Sequence, residues 1–112
     1  MTDIYKPNYW QIVKITSPEG NVFHKVFATW TGGYTNGESW KMNSGIVEVT
    51  YEDNIVTFKG SSGSLYQCID EEHLYRTTAY TQGVLSNMTL KADKVGAIIE
   101  VLPFETNWKK LI

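Results

Sequence analysis

Cysteine is nearly absent from this sequence: Cys68 is the only one in 112 residues. A single thiol makes no intramolecular disulfide and no cysteine-based zinc cluster, and within a strand it reads as a small core hydrophobe. The two histidines, His24 and His73, lie far apart with no HxxxH-type spacing, so no metal centre is expected. Charge of one sign is also lacking. The formal balance is −2, which provides no global basic field for nucleic acid or acidic membranes. No apolar run approaches the ~18 residues of a membrane span. The opening MTDIYKPNYW has no basic start followed by an apolar segment, so no signal peptide is expected, and the expected compartment is the cytoplasm. Nucleophile-elbow, phosphate-loop and dinucleotide fingerprints are missing, as are repeats, low-complexity tracts and linkers. Residues 1–112 are therefore expected to form a single domain, large enough to bury a core without staples.

What the chain has in excess is aromatic surface, with four Trp and seven Tyr. It also has one stretch that can be registered residue by residue, SGIVEVTYEDNIVTFKGSSGSLYQCI from Ser44 to Ile69. Asp53-Asn54 sits between alternating β-formers, and both types tolerate the positive φ of a two-residue hairpin loop. That loop pairs Glu52 with Ile55, Tyr51 with Val56 and Val49 with Phe58. Period-two alternation then gathers Val47, Val49, Tyr51, Val56 and Phe58 on one face, and Ile46, Glu48, Thr50, Thr57 and Lys59 on the other. Gly60-Ser61-Ser62-Gly63 returns the chain into a third strand, Ser64 to Ile69, apolar on both faces and so expected to be central.

Upstream, Tyr5 is expected to dock an otherwise patternless start. Tyr9–Thr16 and Asn21–Trp30 read as a hairpin closed by Ser17-Pro18-Glu19-Gly20-Asn21 and added to the central sheet. Thr31–Asn43 reads as a long loop carrying Tyr34, Trp40 and Met42. Asp70-Glu71-Glu72 suits the start of a short helical turn. The expected helix is Val84–Val95, with Val84, Leu85, Met88, Ala92 and Val95 on its apolar face, a start at Thr81 or Gln82-Gly83, and Gly96 ending it. Ala97–Leu102 has the content of a strand covered on both faces, and Pro103 stops it. Trp108 and Leu111 can dock the end of the chain. The fold class is α+β: an antiparallel sheet of about five or six strands with one C-terminal-half helix packed on it.

Function is read from side-chain types. Asp70, Glu71, Glu72, His73, Tyr75 and Arg76 are plausible acid–base types, but successive acids more often form a solvated loop or helix start, and an enzyme ranks third behind the binding readings. The glycine-serine turn offers N–H groups to an anion yet lacks the lysine and helix of a phosphate loop. Trp30, Tyr34, Trp40, Tyr66, Tyr75, Arg76 and Tyr80 are the candidate binding residues. Trp, Tyr and Arg anchor protein interfaces because they bury much area at low rotamer cost. The expected partner is a protein or a second copy. A single-stranded nucleic acid or small ligand stacking on the same rings is the alternative. No cofactor, metal or membrane is implied.

The segments FATWTGGYTNGESWKMNSGI, FKGSSGSLYQC and TTAYTQGVL resemble small uncharacterised proteins of T4-like cyanobacterial viruses (cyanophages), over roughly residues 10 to 85. The resemblance implies a virus-encoded accessory protein acting on a host component in the host cytoplasm. It carries over no site residue.

Overall fold

Pro18 and Gly20 turn the chain as their chemistry dictates. Ser17 N–H donates to Asn21 C=O at 2.8 Å, Gly20 N–H to Ser17 C=O at 2.9 Å, and Gly20 takes a φ of 91° that a side chain would resist. This turn joins β2 (Tyr9–Thr16) to β3 (Val22–Trp30), paired from Tyr9–Thr29 to Thr16–Val22. The computed structural model describes residues 2–32 and 37–111. Around it lie β1 (Ile4–Tyr5), β4 (Ser39–Met42), β5 (Ile46–Glu52), β6 (Ile55–Gly60), β7 (Leu65–Ile69), α1 (Ala79–Lys94) and β8 (Ile98–Val101), with 3-10 turns at Glu72–Leu74 and Trp108–Leu111.

The class is α+β, with α1 in the C-terminal half. Among the described residues, however, the strands make two sheets of four rather than one of five or six. One runs β1-β7-β6-β5, antiparallel except for the parallel β1–β7 contact, and the other runs β4-β3-β2-β8. The β2–β3 hairpin therefore faces the central three strands instead of extending them. Both parities of β2 and β3 are apolar because each faces a different layer. Trp10, Ile12, Val26 and Ala28 pack on Val49, Val56, Phe58, Tyr66 and Cys68 of the opposite sheet. On the outer side, Val13 and Phe27 pack on Leu85 of α1, flanked by Ile15, Met42, Val84, Met88 and Ile99. The result is a sheet–sheet–helix stack. Each buried side chain of this size contributes about 1.5–3 kcal/mol.

The Asp53-Asn54 hairpin has the expected register, with Glu52 opposite Ile55, Tyr51 opposite Val56 and Val49 opposite Phe58. Asp53 alone of the two loop residues takes positive φ, at 54°. Nearer the start of β5 the expected faces fail. A bulge between Ile46 and Glu48 shifts the phase, so Ile46 is 8% exposed and Val47 is 50% exposed.

Three further corrections concern element ends. The helix begins five residues earlier than Val84, because Thr78 caps it: Thr78 Oγ1 accepts from Thr81 N–H at 3.2 Å, and Thr81 Oγ1 accepts from Thr78 N–H at 2.9 Å. Gly83 therefore lies inside the helix, and Val95 beyond it is exposed. Among the described residues strand β8 pairs with β2 alone and is an edge, with Ile98 and Val101 open to solvent rather than covered. Within the expected loop, Ser39–Met42 is a strand on the outer edge of β3. Tyr5 docks as expected, its ring 4.9 Å from that of Tyr66.

Candidate aromatic binding surface

The inner sheets claim two of the expected binding rings. Tyr66 is 1% exposed between the sheets and presents no face to a ligand. Tyr75 packs against Trp10, Trp108 and Phe104 at centroid distances of 4.8, 5.8 and 5.6 Å. Its hydroxyl accepts from Ile12 N–H at 3.0 Å and donates to Leu102 C=O. Burial pushes both phenols up to about 12. Tyr66 is a core residue and Tyr75 a partly buried one packed against the core, a correction to their reading as surface residues. Nothing short of tertiary packing distinguishes them from exposed tyrosines.

Trp30 is half-buried on the sandwich side of β3, its indole N–H donating to Lys6 C=O at 3.1 Å and its ring edge-on to Tyr5 at 6.2 Å. Lys41 Nζ lies 5.3 Å over the same Tyr5 ring.

Trp40, Arg76 and Tyr80 gather on the opposite, helix-bearing side. Tyr9 pairs with Thr29 and Thr29 with Trp40, so these residues form one row across β2, β3 and β4 on a single face. Arg76 stands 5.2 Å over the Tyr9 ring at one end of the row. At the other end the Trp40 ring stacks on Phe27 at 5.7 Å and 21°, and 38% of the residue stays open to solvent. In the middle, Thr29 Oγ1 donates to Thr81 Oγ1 at 3.2 Å, which pins the first turn of α1 over the row. That turn carries Tyr80, 53% exposed, into a cleft shared with Thr31, Gly32 and Glu38. Tyr34 lies outside the described residues. Tyr9 belongs to this surface, and Phe27, fully buried, backs the Trp40 ring from beneath, although the sequence did not single them out for binding. Their cue is the parity of β2 and β3 once the hairpin register is known.

Chemistry elsewhere is sparse. Among the described residues no group of three metal-ligating side chains converges. The Asp70–His73 segment is solvated: Glu71 Oε2 accepts from Asn54 Nδ2 at 3.1 Å, and Glu71 Oε1 lies 3.7 Å from His73 Nδ1 on the surface. The glycine-serine turn spends its donors internally. Gly60 N–H goes to Ser64 C=O, Ser61 N–H to Gly45 C=O, Ser62 N–H to Ser44 Oγ and Gly63 N–H to Gly60 C=O, so these four are not free for an anion. Burial holds the Cys68 thiol well above its ordinary range, which makes it an inert core residue. His24 sits in a cross-strand row with Lys14 and Glu100, lowered first by partial burial and then by Lys14.

No protein-family model, curated protein or solved structure matches the chain.

Proposed function

We propose that the chain is a non-enzymatic protein-binding module whose contact surface is the open part of Trp40 together with Tyr80, Arg76 and the Tyr9 ring beneath it. The observation that carries this reading is Trp40. It is a large ring stacked on Phe27, partly open to solvent, on the edge strand β4. Among the described residues no strand pairs with the outer side of β4, so an extended peptide segment can add its main chain there and rest a side chain on the ring. Tyr80 and Arg76 supply the polar-tipped anchors that interfaces favour. From the cyanophage resemblance, we place the module in the host cytoplasm with a host protein as partner.

Capture from cyanobacterial lysate with the intact protein, Trp40→Ala and Tyr80→Ala tests the reading. A stoichiometric partner that is retained by the intact chain and lost from both folded variants supports it. A partner held equally by all three overturns it. Retention on single-stranded DNA that fades with salt and depends on Arg76 would instead support the stacking alternative.

A further inference from the structure

The edge opposite β4 is built differently. Leu90, Val95, Ile98 and Val101, at 62%, 69%, 53% and 43% exposure, lie in the last part of α1, the turn after it and β8. Leu90 and Val101 line a shared groove with Gln82, Leu85, Ser86 and Thr89. Natural edge strands are blunted by lysine, proline or a covering segment. Here Ile98–Val101 carries one charge, Glu100, and that residue lies directly opposite Lys14 of its own sheet.

The ladder shows which backbone groups face away from β2. Leu102 N–H donates to Ile12 C=O at 2.9 Å, and β8 runs in register with β2 from Thr16–Ile98 to Val13–Val101. Antiparallel ladders alternate, so the N–H and C=O groups of Ile98, Glu100 and Leu102 point at β2, and those of Ile99 and Val101 point outward. We propose that β8 pairs with β8 of a second copy of this chain, antiparallel about a two-fold axis at Ile99, joining two four-stranded sheets into one of eight with both helices on the same side. In this register Ile99 exchanges two bonds with its symmetry mate, and each Val101 N–H reaches the partner's Ala97 C=O. Ala97 is suited to that part, since its own N–H is already spent on Ala92 C=O at 2.9 Å.

Glu100 selects the register. A two-fold at Glu100 would satisfy as many backbone groups but would set the two carboxylates face to face, which is destabilising. Moving the axis to Ile99 puts Glu100 against the partner's Ile98 instead. The arrangement is isologous, as closed dimers require. These four exposed apolar residues, with the strand backbone and the adjoining helix surface, contribute to the ~800 Å² per partner that a standard interface buries.

Light scattering across a concentration series tests the pairing. The expected result is a dimer whose Leu90→Lys and Val101→Lys variants are monomers with unchanged circular dichroism. An intact chain that stays monomeric at high concentration, or variants that stay dimeric, overturns it. Oxidative trapping then tests the register. The axis at Ile99 predicts that an Ile98→Cys/Glu100→Cys double variant forms intersubunit disulfides while Glu100→Cys alone does not. Efficient trapping by the single variant overturns the register.

Discussion

The hydroxyl of Tyr75 donates to the carbonyl of Leu102 while accepting from the N–H of Ile12, and so stands inside the β2–β8 ladder where a main-chain bond would otherwise close. One side chain from the segment after the sheet thus completes the pairing of two strands. Tyr75→Phe keeps the ring packed on Trp10 but leaves a buried donor and an acceptor without their partner. The expected loss is about 1–3 kcal/mol, read from the urea midpoint. A midpoint equal to the parent's would show that water or a shift of β8 replaces the hydroxyl.

Alkaline stability follows from the same ring. Tyr66 and Tyr75 are raised from 10.0 to about 12, chiefly by burial, with Glu105 adding to Tyr75 and the Ile12 N–H opposing. The fold holds the neutral phenols more strongly than the unfolded chain does. The sign is therefore fixed: this contribution is whole below pH 10 and is lost as pH climbs toward 12. Urea titrations at stepped pH should show the midpoint falling across that window, less steeply in Tyr75→Phe. Phenolate absorbance should show a late-titrating class. Tyrosines that all ionise together near 10 in the folded protein would contradict it.

The start of β5 gives a paired substitution test. Ile46 faces the sandwich and Val47 faces solvent because of the bulge between Ile46 and Glu48. Ile46→Ala should cost about 2–5 kcal/mol and Val47→Ala well under 1 kcal/mol in chemical denaturation. The reverse order would restore the unbroken alternation expected from the sequence.

That bulge shows why some of the fold was legible and some was not. Asp53-Asn54 is flanked by strict alternation, so a single register satisfies it. At Ile46-Val47 both residues are apolar, and a one-residue phase change leaves no trace in composition. Both parities of β3 carry large apolar residues, but pattern alone does not say whether sheet or helix covers each. The same ambiguity made Ala97–Leu102 look covered on both faces, although Ile98 and Val101 are open to solvent. In the candidate site Trp40 and Tyr80 were legible as rings in excess of a core's needs. Tyr66 and Tyr75 were not, because their burial depends on strands distant in sequence.

The helix start supplies the last test. Thr78 and Thr81 cap each other reciprocally, a variant of the usual box with threonine in place of glutamate, and this extends α1 backward through Gly83. Gly83 is exposed, its φ is not positive, and a Cβ placed there meets nothing within 4 Å. Alanine at such a position gains by restricting the unfolded chain while losing no contact. Gly83→Ala should therefore raise stability by about 0.5–1 kcal/mol in urea denaturation, and Thr78→Ala should lower it by about 1 kcal/mol through loss of the cap. If α1 began at Val84 instead, Gly83 would lie outside the helix and both substitutions would leave the midpoint nearly where it was.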